Sequence, residues 1–254
     1  MGYQIVTSTP TSKPLPLTGT LNTRDLGGYL AADGKITQTH RCLRSDGLSK
    51  ITAEDKQYLL AYGVRCVIDL RSSLECEMNP TVLEQEPTIA YTHFPLLDQV
   101  NLLISGAAIP ESLDALYIGI LSQNQDQLKG ILEQIAVHDG ETVLFNCSAG
   151  KDRTGLIAML LLGVAGVSKR DIVADYALSQ GYLADFFTEQ KAQMQAFGFD
   201  IPESFFSSAP ENMENTLNWL DDTYGGIRPY VASLGLPDES IVKLERKLLE
   251  EVNE

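Results

Sequence analysis

Residues 141–155 read ETVLFNCSAGKDRTG, and the fold follows from how that run changes character along its length. Thr142, Val143, Leu144 and Phe145 are β-forming and mostly apolar, small residues surround Cys147, and an apolar helical run begins at Leu156. A strand, a tight loop and a helix N-terminus therefore follow one another. Cys147 and Arg153 are separated by five residues. A loop that wraps half a circle over that spacing turns successive backbone N–H groups inward at the positive end of the helix dipole, which makes a seat for an oxyanion. Arg153 adds a planar fork for two phosphate oxygens. The same field acts on Cys147 at the bottom of the bowl and favours its nucleophilic thiolate.

Two plainer readings compete with this one. A buried cysteine ahead of a helix is often a small core hydrophobe, and a Cys–Arg pair at this spacing also arises by chance. The other cysteines act as a control, because six residues after Cys42, Cys66 and Cys76 stand Leu48, Ser72 and Val82. Only Cys147 combines the arginine, the small residues, the strand and the helix. An ATP-binding loop is a poor match, since it requires glycine where Phe145 stands and Ser or Thr where Asp152 stands.

Outward from this stretch, residues 125–137 predict a helix with Leu128, Ile131, Leu132 and Ile135 on one face, delivering the chain into the strand. Residues 156–164 are apolar all round, which predicts a buried central helix. Thr52 and Asp55 form a capping box, Gly63 stops the helix, and 64–70 is a nearly continuous apolar strand carrying Asp69 and Arg71 at its end. A helix feeding such a strand belongs to a parallel, helix-covered sheet, whose sites lie at the carboxyl edge. Residues 88–94 predict a second such strand, with Asp98 in the loop beyond it and 99–109 as a flap.

Residues 3–6 suit an edge strand, and Ala32-Asp33-Gly34 a turn between extended segments. Helices are also predicted at 110–121, 212–224 and from 237 onward. Ser168 and Asp171 form a second capping box, opening a helix at 172–187 that Gly181 interrupts. Tyr176, Tyr182, Phe186 and Phe187 make its face more aromatic than a core helix requires; it is either core or a lid over Cys147. The fold class is α/β, a central mostly parallel β-sheet flanked by helices, in one domain over 1–254.

The chain has 34 acidic and 19 basic residues for a net charge of −15, which disfavours nucleic acid and anionic membranes as partners. An acidic protein that admits a phosphate must concentrate cations at its site; Arg24, Arg44, Arg71, Lys151 and Arg153 are the candidates. Four cysteines without close pairing and three scattered histidines give no metal-ligand spacing, so no metal and no cofactor are expected. Without an apolar run long enough for stable membrane insertion or a signal-peptide pattern, a cytoplasmic location is the default, a trimmed signal aside.

The run from Cys147 to Gly155 resembles the signature loop of cysteine-dependent protein tyrosine phosphatases. Its Gly-Lys-Asp-Arg-Thr-Gly portion is similar to that of bacterial tyrosine and dual-specificity phosphatases that also act on phosphoinositides. Two further stretches, LNTRDLGGY at 21–29 and VIDLRS at 67–72 with Glu75, extend the resemblance over nearly the whole chain. It implies a metal-independent phosphomonoesterase on a cysteine phosphatase-like fold, working through a cysteinyl-phosphate on Cys147. Ser148, Ala149, Gly150, Lys151, Asp152 and Arg153 would hold the phosphate, or sulfate or vanadate in its place.

Asp152 is the first choice for the general acid and Asp98 the second, with the Thr154 hydroxyl stabilising the departing thiolate. Arg24 and Arg71 either contact the phosphate or act as structural clamps. Lys151 either rewards a substrate with extra negative charge, such as a phosphoinositide beside a phosphorylated protein, or is a solvated rim lysine. Residues 165–210 are a candidate helical lid. Members of the family usually carry histidine before the nucleophile; here Asn146 can hydrogen-bond the loop but cannot carry charge. A catalytically silent phosphate-recognition module and a thiol reductase or sulfurtransferase are the rival functions.

Overall fold

The structure, a computed structural model, describes residues 12–96, 110–196 and 203–249. In chain order these form β1 (Arg24–Asp25), β2 (Cys42–Ser45), α1 (Ala53–Ala61), β3 (Val64–Asp69), α2 (Ser73–Met78) and β4 (Ala90–His93). Then come α3 (Leu113–Gln123), α4 (Gln125–Val137), β5 (Thr142–Asn146), α5 (Asp152–Val164), α6 (Lys169–Tyr182) and α7 (Ala184–Ala196). The chain closes with α8 (Pro210–Tyr224), α9 (Ile227–Ser233) and α10 (Asp238–Leu249).

Among the described residues the strands make one sheet in the order β1-β2-β5-β3-β4, with only β1 antiparallel to its neighbour. β5 is the middle strand and every one of its residues is buried. Its alternation divides the core: Val143 and Phe145 face the layer formed with α3, α4 and α5, while Leu144 joins Leu43, Val67, Leu48 and Leu59 on the other side. Because both faces are covered, the strands read as continuous apolar runs. α5 lies against β5 as predicted, its residues 153–162 buried without exception. Among the described residues no helix is long and apolar enough to cross a membrane, and no cluster of His, Cys, Asp or Glu could hold a metal.

Several elements differ from their sequence prediction. β4 is a half-exposed edge strand rather than a second buried one, with Ala90 and His93 open to solvent. The helix expected at 172–187 is two helices that break at Leu183, with Gly181 inside α6. Ser168 caps α6 by accepting from Asp171 N, but the Asp171 carboxylate takes the Ser168 hydroxyl instead of returning to the backbone. The reciprocal capping box that escaped notice is Ser72 with Glu75 at the start of α2. The strand expected at 3–6, the flap at 99–109 and the loop bearing Asp98 lie outside the described residues.

Candidate active site

Cys147 follows the last residue of the central strand, at its carboxyl end, and Asp152 opens α5. The loop between them is held by its carbonyls. Ser148 O accepts from Gly47 N at 3.0 Å, Ala149 O from Asn22 Nδ2 at 3.0 Å, and Gly150 O from Arg44 Nη2 at 2.7 Å. Consecutive carbonyls are thus drawn outward toward β1, β2 and the segments beside them. In a planar trans peptide the N–H points opposite to its C=O, so the same anchors aim the loop amides at the concave side.

Gly150 sits at φ +67°, and a Cβ there would lie 2.6 Å from Asp46 N. Only glycine allows this loop to press against the end of β2. Cys147 itself is 2 % exposed, at the floor of a cavity it shares with Arg153, Glu75, Asp152 and Lys151.

Arg153 is aimed by Glu75. Its Nη1 and Nη2 donate to the two Glu75 oxygens at 2.8 Å each, and Nη1 lies 3.3 Å from Leu70 O. Burial alone would raise the Glu75 pKa, but the Arg153 charge and hydrogen bonds outweigh it and hold the carboxyl well below its ordinary range. Glu75 also accepts from Ser148 Oγ at 2.5 Å and from Ser72 N at 2.7 Å. One carboxylate therefore ties the arginine, the cysteine loop and the start of α2 together.

Asp152 accepts at Oδ1 from the Tyr117 hydroxyl, and Lys151 Nζ lies 3.3 Å from the same oxygen. Thr154 is fully buried, with its hydroxyl 3.5 Å from Ser45 O.

The geometry bears on the readings of Lys151, Arg24, Arg71 and Asn146. Lys151 is no solvated rim residue: it is buried, donates to Phe205 O at 2.9 Å and Ser207 O at 2.8 Å, and lies 5.3 Å from the Phe187 ring centroid. Arg24 stands behind the loop, its guanidinium bonded to Asp175 at Nε and Nη2 and to Asn22 at Nη1. It reaches the loop indirectly, through Asn22 to Ala149 O and through Asp175 and Arg44 to Gly150 O.

Arg71 is closed onto Asp69 through Nε and Nη2 and onto Asn79 O through Nη1, which clasps α2 to β3 and so fixes Glu75. Both guanidinium groups are thus engaged by acceptors of the protein itself. Asn146 does not bond the loop either; among the described residues its amide N and O are buried without a partner. Asp98, the second candidate acid, lies outside the described residues.

Sequence reasoning kept Glu75 only as part of a motif and passed over Tyr117 and Asp175. A local signal existed for Glu75, three residues after Ser72 in a capping box. Tyr117 and Asp175 meet their partners 35 and 131 or more residues away, and no spacing along the chain reports that.

Residues 15–250 match the family described as the tyrosine phosphatase family. A tyrosine-protein phosphatase from Nostoc commune is 33% identical over 216 residues, covering 81% of this chain and 73% of the relative. A protein from Mycobacterium tuberculosis named triple specificity protein phosphatase PtpB is 27% identical over 123 residues, covering 43% of this chain and 45% of the relative.

Proposed function

The chain belongs to the tyrosine phosphatase family and is an enzyme of the protein-tyrosine-phosphatase type; from that premise we propose that it hydrolyses phosphotyrosine through a covalent phosphate on Cys147. The supporting observation is the loop whose carbonyls at Ser148, Ala149 and Gly150 are drawn outward beside the cysteine, with Arg153 lining the same cavity. That arrangement offers amide donors and a guanidinium fork to the equatorial oxygens as charge develops on them.

In the first step the Cys147 thiolate forms an S–P bond while the P–O ester bond breaks, and the leaving oxygen takes a proton from Asp152. In the second, water attacks phosphorus and returns a proton to Asp152, and the S–P bond breaks to give inorganic phosphate and the thiolate. Thr154 lies beneath the loop, where its hydroxyl can turn from Ser45 O toward the departing thiolate.

Leu116, Ile120, Phe187 and Phe205 complete the cavity wall and suit the aryl ring of a phosphotyrosine. The cavity encloses about 70 Å³, far below the roughly 300 Å³ at which ligand pockets begin. On this reading its cover, α7 and residues 203–206, withdraws to admit a substrate and acts as a lid. A phosphoinositide reaches Lys151 only after the lysine has released Phe205 and Ser207. The name of the mycobacterial relative makes phosphoserine and phosphothreonine peptides part of the same substrate comparison.

The test is release of nitrophenol from para-nitrophenyl phosphate in EDTA by the full chain, by Cys147→Ser, and with vanadate present. EDTA-resistant turnover that Cys147→Ser abolishes and vanadate inhibits is expected. Turnover retained by Cys147→Ser, or none by the wild type, overturns the proposal.

A further inference from the structure

Behind Asp152 runs a buried file of polar groups that the two catalytic steps leave unused. Tyr117 on α3 and Tyr176 on α6 are 0% and 1% exposed, their hydroxyl oxygens are 2.7 Å apart, and Tyr176 is hydrogen-bonded in turn to the Asn212 side chain on α8. The file ends at Asp152 Oδ1. Its direction follows from valence. An ionised carboxylate only accepts, so the single Tyr117 proton goes to Asp152; the Tyr176 proton then goes to the Tyr117 oxygen, and Asn212 donates to Tyr176. Burial, helped by the Asp152 charge, pushes both phenols up and keeps them protonated donors. Lys151 Nζ also lies on the Oδ1 side, so both neighbouring donors fall on the same oxygen.

We propose that Tyr117, braced by Tyr176, is a positioning residue for the reaction: it occupies Oδ1 of Asp152 and assigns Oδ2 as the oxygen that gives and takes the proton. This rests on Asp152 being the proton carrier. A carboxylate at the first residue of a helix otherwise turns about two side-chain torsions, and each misplaced rotamer points the proton away from the leaving oxygen. A hydroxyl locked between three helices stops that rotation at one atom. Tyr117 never meets the substrate, so its effect passes entirely through Asp152.

The file also predicts which reactions depend on Tyr117. A good leaving group departs without a proton, whereas a poor one needs the acid. Tyr117→Phe, which removes one oxygen from the core, is therefore measured with phenyl phosphate and with para-nitrophenyl phosphate, beside Tyr176→Phe, Asp152→Asn and the Asp152→Asn/Tyr117→Phe double variant.

Loss of one hydrogen bond to a charged group lowers kcat for phenyl phosphate about tenfold in Tyr117→Phe. The nitrophenyl ester is expected to change by less than about twofold, with KM unmoved for both. Tyr176→Phe should show the same selectivity more weakly, and the double variant should be no slower than Asp152→Asn. Should Tyr117→Phe fail to fold, Tyr176→Phe carries the test by the same selectivity.

Equal losses on both esters, or losses that add in the double variant, overturn the proposal. Asp152→Asn slow on phenyl phosphate with Tyr117→Phe and Tyr176→Phe unaffected overturns the part given to the tyrosines alone. Asp152→Asn as fast as wild type on phenyl phosphate overturns the assignment of Asp152 itself, and the proposal with it.

Discussion

Glu75 takes both Nη atoms of Arg153 in a bidentate pair while also accepting from the Ser148 hydroxyl and the Ser72 amide. An arginine at the helix N-terminus without that pair keeps its charge but loses its aim. Glu75→Gln retains the size and the capping oxygen but turns an amide NH₂ toward a guanidinium that already has only donors. We expect kcat/KM to fall by about ten- to hundredfold, with vanadate inhibition weakened alongside; an unchanged vanadate inhibition constant would show that Arg153 holds its orientation unaided. Gly150→Ala tests the loop at its tightest point, where a Cβ has no room against Asp46 N and φ is +67°. Displacing even one amide from the bowl costs on the order of 10²-fold in kcat, and a variant with wild-type kcat would show that the loop tolerates the shift. At this scale the sequence is half legible: Cys147, Arg153 and the small residues between them announce an anion seat. What fixes them is contributed by Asn22, Arg44, Gly47 and Glu75, each more than 70 residues distant.

Among the elements, the cover over Cys147 is joined to the loop beneath it through the side chain of Lys151. Lys151 Nζ donates to Phe205 O and Ser207 O and faces the Phe187 ring, so one buried ammonium spans the loop, α7 and the 203–206 turn. Lys151→Met keeps the apolar stem and removes the donors, leaving two carbonyls to find water. The amides of residues 203–208 are then expected to exchange hydrogen at least about tenfold faster, since a hydrogen bond to a charged group is lost from a segment with few other ties. Exchange at the wild-type rate would mean that Phe187 and Phe205 packing, not the lysine, holds the cover. Element boundaries were legible where periodicity was strong: α4 runs over the predicted 125–137 because four apolar residues share one face. The break between α6 and α7 falls at Leu183, with neither Gly nor Pro at the break, and tertiary packing decides it. α9 is seven residues long with Pro229 in its first turn, too short to leave a periodic trace and permitted its proline only because that turn needs no donor there.

For the whole molecule, the sequence left Arg24 between clamp and substrate contact, and its partner in the structure is a buried carboxylate. Asp175 accepts from Arg24 Nε at 3.1 Å, from Arg44 Nη1 and from the Tyr29 hydroxyl at 2.8 Å. It thereby joins β1, β2 and α6 behind the loop, with Arg44 continuing to Gly150 O. A chain of net charge −15 thus buries Arg24 and Arg44 and holds both on one carboxylate. Burial of Asp175 alone would raise its pKa, but Arg24 and then Arg44 overcome that and lower it to about 2. A folded-state pKa below the unfolded one means stability that is present above about pH 4 and lost as the pH falls toward 2. Asp69 and Glu75 are lowered by their arginines in the same direction, so the three losses fall in one acid range. For Asp175 the ionised state contributes on the order of 2 kcal/mol at neutral pH. Asp175→Asn leaves two buried guanidinium groups facing a neutral side chain, and its cost at pH 7 is expected at about 3 kcal/mol or more. Urea unfolding of both proteins at pH 7, 4 and 3 separates the charge from the shape of the side chain. The stability gap between wild type and variant should be widest at pH 7 and narrow steadily below pH 4, as the wild type gives up the ionisation that the variant never had. A gap that stays constant across those pH values would place the cost in the lost carboxylate geometry and remove the charge of Asp175 from the account of why this site stays assembled.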